Sequence, residues 1–78
     1  MINFVRIIFT THAAIRMRQR SITAKELKAA LDSPDSTSGA FQGRTSVKKK
    51  LLRGTLEVIY RGHGAETIVI TCYWIKEG

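Results

Sequence analysis

The sequence predicts a small α+β domain with the element order β-α-α-β-β-β, in which a mainly antiparallel sheet carries a helical hairpin on one face. Three observations predict it. Residues 2–9 are dense in β-branched and aromatic side chains. Two short helical patterns with their own capping residues follow. The last 35 residues alternate in strand fashion and are punctuated by glycine.

Each element has a local cause. Ile2 to Phe9 reads as the first strand. Thr10 or Thr11 then supplies the side-chain oxygen that an exposed helix N-terminus needs, and the first helix runs to Gln19 or Arg20. Ser21-Ile22-Thr23 interrupts it. Thr23 and Glu26 have capping-box spacing, so a second helix starts at Ala24. Ala24, Leu27, Ala30 and Leu31 form its apolar face, with Lys25 and Lys28 in solvent. Pro34 stops it near Asp32.

Residues 33–43 read as a polar loop, in which Phe41 either anchors the loop on the core, the favoured reading, or awaits a partner. Arg44 to Leu52 is a weakly alternating strand and Gly54 marks a turn. In the next strand Leu56, Val58 and Tyr60 share one face, opposite Glu57, Ile59 and Arg61. Gly62-His63-Gly64 reads as a loop. Thr67 to Ile75 is the strongest strand, apolar enough for an interior position. Strict alternation places Ile68, Ile70, Cys72 and Trp74 against the helices and leaves Tyr73 on the open face.

A chain of 78 residues is read as one domain spanning 1–78. A domain of this size buries only about 60% of its unfolded surface, so a homodimer or a tight partner is expected to compensate for a thin core. The lone cysteine, Cys72, excludes an internal disulfide and suits a reducing cytoplasm. The longest apolar run is far below the ~20 residues that span a bilayer, so no membrane role is expected. Arg6 interrupts the apolar start and no small-residue cleavage site follows, which reads against a signal peptide.

The net charge is +7. It is concentrated: residues 1–25 hold five cations and no acid, and residues 41–53 hold Arg44, Lys48, Lys49, Lys50 and Arg53, again with no acid. Two such zones point to a polyanion, either a nucleic acid or an acidic protein. Carboxylates do not pair at metal-ligand spacing, and no phosphate loop or dinucleotide fingerprint occurs. Neither a metal nor a cofactor is therefore expected.

His12, Arg16 and Arg20 fall at i, i+4 and i+8, one row on a helix. An imidazole followed by two permanent cations suits a phosphate, with His12 as acid or base and Arg16 as its phosphate clamp. Arg18 and Arg20 join Arg44, Lys48, Lys49, Lys50 and Arg53 as candidate nucleic-acid contacts. Arg61 and Tyr73 complete the candidate site, the tyrosine as a surface on which a base can stack. A non-catalytic module that binds nucleic acid or an acidic protein is the alternative reading.

The run from Phe9 to Thr23, with His12-Ala13, Arg16-Met17, Arg20, Ile22 and the capping Thr23, resembles the opening motif of a family of short bacterial and archaeal proteins classed as a domain of unknown function. Leu31 with Pro34, and the strand Ile68 to Trp74, extend the resemblance over nearly the whole chain. That family looks like a relative of the RelE/ParE-type toxins, including the BrnT-like branch. The resemblance implies the β-α-α-β-β-β plan and metal-independent cleavage of mRNA, free or on the ribosome. It also implies a small antitoxin protein that occludes the basic surface. ParE-type members instead inhibit a protein target.

Overall fold

The computed structural model describes residues 6–63 and 66–75. It shows a five-stranded mixed sheet and two helices. The elements are β1 (Arg6–Phe9), α1 (Thr11–Gln19), α2 (Ala24–Asp32), β2 (Ser36–Gly39), β3 (Thr45–Leu51), β4 (Gly54–His63) and β5 (Glu66–Ile75). The strand order is β1-β5-β4-β3-β2. Only β1 and β5 pair in parallel: the two helices carry the chain from β1 at one edge to β2 at the other, and three antiparallel steps through β3 and β4 bring β5 back beside β1. The residues 2–5 assigned to the first strand, and Gly64 of the expected loop, lie outside the described residues.

Both helices start and stop where their caps dictate. The Thr10 hydroxyl accepts from the Ala13 N–H at 3.1 Å and opens α1. Thr23 and Glu26 form the reciprocal capping box at α2. Between the helices the Ile22 N–H reaches back to the Met17 carbonyl at 2.8 Å, and Ser21 takes a left-handed conformation with φ of 54°. This is a Schellman-type stop built on serine instead of glycine.

The core lies between the helices and one face of the sheet. Ala13, Ile22, Leu27, Ala30 and Leu31 meet Val47, Leu56, Val58, Val69 and Cys72. Ala24, expected on the apolar face of α2, sits in its first turn and is exposed. The alternation expected for β4 holds, with Leu56 and Val58 buried and Tyr60 packed against the core.

In β5 the expected face is half wrong. The buried residues are Thr67 and Val69, then Cys72. Ile59 of β4 pairs with Thr71, and the adjacent Tyr60 pairs with Val69, so Ile70 is an extra residue on β5. That β-bulge shifts the side-chain parity. Ile68 therefore lies on the open face beside Arg61, while Cys72 and Trp74 keep the expected inward side.

The stretch 33–43 is not a plain loop. Ser36–Gly39 forms an edge strand, and Phe41–Gly43 a 3-10 turn. Serine and glycine do not favour strands; the edge of β3 imposes this one. The Asp35 N–H donates to the Lys48 carbonyl at 2.8 Å, and the Asp35 carboxylate accepts from the Lys50 N–H at 2.7 Å, which delivers the chain in register. Phe41 does not anchor the loop: it is 82% exposed. Gly62 and His63 also belong to β4, with His63 paired to Glu66.

Candidate nucleic-acid interface

The face of the sheet turned away from the helices has a defined grid. Cross-strand partners share a face, so the register gives one row of Ser36, Lys48, Glu57 and Tyr73 across β2, β3, β4 and β5. The next row is Ser38, Ser46, Ile59 and Thr71. Lys50 flanks the first row on the hairpin side, opposite Thr55. Toward β1 the face becomes apolar, with Ile8 beside Ile68.

Glu57 is the centre of this grid. The Ser46 hydroxyl donates to its Oε2 from one side. The Tyr73 phenol is bonded to it from the other. Burial, then the hydrogen bond to Glu57 and its negative charge, push the Tyr73 phenol above its usual range. Tyr73 is thus a neutral donor at neutral pH, oriented by a carboxylate, and the residue is 37% exposed. The sequence reading placed Tyr73 on this face but overlooked Glu57. The available signal was an acid just after the second basic stretch, on the strand face opposite Leu56 and Val58.

The structure sorts the expected residues into groups. Lys48, Lys50, Arg61 and Tyr73 share the open face. Arg61 lines a depression of about 430 Å³ with Gly62, Glu66 and Ile68, next to the Arg6–Glu66 ion pair at 3.3 Å. Lys49 points to the helical side, 3.7 Å from Asp35. Arg44 follows the 3-10 turn, where its carbonyl accepts from the Ala40 N–H at 2.8 Å.

His12, Arg16 and Arg18 stay in the helical layer, on the opposite side of the sheet from Lys48 and Lys50. Arg20 leaves their row because α1 ends at Gln19. Its carbonyl accepts the Trp74 indole N–H at 3.1 Å, and Arg20 lines a cleft with Tyr73, Trp74 and Ile75.

Arg53 has a bracing position. It lies in the two-residue turn between β3 and β4, where Leu51 pairs with Gly54. Its guanidinium makes a forked pair with Glu26, at 2.6 and 3.1 Å, and also donates to the Ser21 carbonyl. It stacks over the Trp74 ring, 4.8 Å from the centroid. The hairpin turn is thereby tied to the joint between the helices.

Fold and site together define a small α+β domain with one sheet face covered by helices and the other open, polar and basic. The chain belongs to the family described as Domain of unknown function (DUF4258), whose model matches residues 9–74. No curated protein and no solved structure matches the chain. No helix among the described residues is long and apolar enough to cross a membrane.

Proposed function

We propose that the protein is the toxin of a toxin–antitoxin pair, a metal-independent endoribonuclease that takes mRNA, free or on the ribosome, on the open face of its sheet. The observation that carries this reading is the Ser36–Lys48–Glu57–Tyr73 row. It sets a cation, a carboxylate and a neutral phenol side by side on an exposed surface. Those groups suit cleavage by the RNA's own 2′-hydroxyl. Glu57 takes the 2′-proton, and the oxygen attacks the adjacent phosphorus. Lys48 and Lys50 balance the charge that develops on the phosphate. The Tyr73 phenol hands a proton to the departing 5′-oxygen. The products are a 2′,3′-cyclic phosphate and a 5′-hydroxyl end. The acid–base role assigned to His12 from the sequence passes to Glu57 and Tyr73, because His12 lies in the other layer.

The resemblance to RelE/ParE-type toxins supports the biological setting, in which a small antitoxin covers the basic face. Induced expression in a bacterium tests the reading directly. Growth arrest with new 5′ ends in mRNA by primer extension is expected, and Glu57→Gln should abolish both. Normal growth with intact message would overturn it.

One observation favours a second reading. Both oxygen-bearing neighbours of Glu57 already hydrogen-bond to it. A carboxylate satisfied in this way suits a surface that binds nucleic acid, or an acidic protein, without cutting. That reading expects steeply salt-dependent binding and no cleavage products.

A further inference from the structure

Beyond Val69 the outer edge of β5 has no strand partner among the described residues, because β1 ends at Phe9 opposite Val69. Over this part of the chain a cleft of about 420 Å³ opens between the end of α1 and the end of β5, lined by Arg20, Tyr73, Trp74 and Ile75. Its size falls within the ordinary range of small-ligand sites, about 300–1,000 Å³.

We propose that this cleft is a single-nucleotide subsite for RNA, in which a base lies against the Tyr73 ring and Ile75 while Arg20 holds the adjoining phosphate. The inference rests on the RNA reading above and adds where one nucleotide binds. Four features of the cleft support it. Its back wall is held in place, since the Trp74 indole donates to the Arg20 carbonyl at 3.1 Å and Arg53 stacks on the ring. The Tyr73 hydroxyl is engaged by Glu57, which orients the ring and leaves its face as the available surface. Arg20 has no carboxylate partner among the described residues, so its guanidinium is ready for an anion.

The fourth feature is the strand edge itself. On an edge strand, alternate residues turn their N–H and C=O groups outward. These groups offer a base edge fixed donors and acceptors, so the cleft can distinguish bases as well as stack them. Tyr73 also joins the cleft to Glu57, which places a nucleotide bound there next to the groups assigned to cleavage.

The test uses the full chain and four fluorescein-labelled single-stranded 12-mers, oligo-A, -U, -C and -G, with affinity read by anisotropy. Tyr73→Ala should weaken the preferred oligomer roughly 5- to 100-fold, the range expected for one lost base stack. Tyr73→Phe should restore most of that affinity. Arg20→Ala should weaken all four oligomers by a similar factor and reduce the salt slope by about one contact. Lys48→Ala should weaken all four alike. If Lys48→Ala weakens binding while Arg20→Ala and Tyr73→Ala leave affinity and preference unchanged, the subsite is overturned and the RNA reading stands. If the wild-type chain binds none of the oligomers, both fall. Circular dichroism of each variant separates loss of binding from loss of fold.

Discussion

The hydroxyl of Thr10 donates a 2.9 Å hydrogen bond to the carbonyl of Ile70, sixty residues away in sequence. Ile70 is the residue that β5 carries in excess of β4. The same hydroxyl accepts from the Ala13 N–H. One side chain therefore caps α1 and holds the carbonyl of the bulge that sets which β5 residues face the core. Thr10→Ala removes both bonds and should cost about 1–2 kcal/mol in urea unfolding. Thr10→Ser keeps the hydroxyl and should recover most of that loss. Equal stability of the Ala and Ser variants would remove the hydroxyl from the account.

Glu26 and Arg53 make stability depend on pH in a stated direction. The hydrogen bond from Arg53, together with those from Thr23, holds the Glu26 carboxyl below its usual range. A depressed carboxylate contributes stability that is present above its unfolded-state pKa and is lost as pH falls through the lower, folded-state value. Arg53→Met should therefore lower Tm modestly at neutral pH. The gap from wild type should hold down to the ordinary carboxylate range, about pH 4–5, and close at lower pH. A gap that widens in acid would contradict the pairing. The effect is modest because the pair is partly solvated.

Ser21 occupies the left-handed position that ends α1. A side chain there is strained relative to glycine. Ser21→Gly should raise stability by about 0.5–1 kcal/mol, read as a higher urea midpoint with an unchanged slope.

Phe41 protrudes from the β2–β3 connection. Phe41→Ser should change stability by no more than about 0.5 kcal/mol. A loss of several kcal/mol would mean that the ring packs against the domain after all.

Cys72 is fully buried in the core, and burial pushes its thiol up to about 11. A thiol in that state is a poor nucleophile. Labelling by a disulfide reagent at pH 8 should be slow in native protein and fast in urea. Rapid native labelling would require the β5 side of the core to open readily.

Much of the architecture is set by residues close together in the chain. Thr10, Thr23 with Glu26, and Pro34 place the ends of both helices through bonds or clashes a few residues long. The alternation of Leu56, Val58 and Tyr60 assigns the faces of β4. The two basic stretches show where the positive charge concentrates without reference to the fold. The row of His12, Arg16 and Arg20 was legible as a pattern, but its last member departs where the helix stops.

Tertiary structure decided the rest, for reasons that no local pattern contains. A bulge is a mismatch between two strands, so the inward side of β5 depends on its pairing with β4 and on Thr10. β2 exists because β3 presents an edge and Asp35 delivers the chain to it. Arg53 reads as one more cation in a basic stretch, yet the hairpin turn carries it to Glu26 and Trp74. Only the sheet register places Lys48 and Tyr73 on either side of Glu57, while His12 stays in the other layer. Local chemistry determined which elements form and how much charge they carry; long-range pairing decided which charges meet.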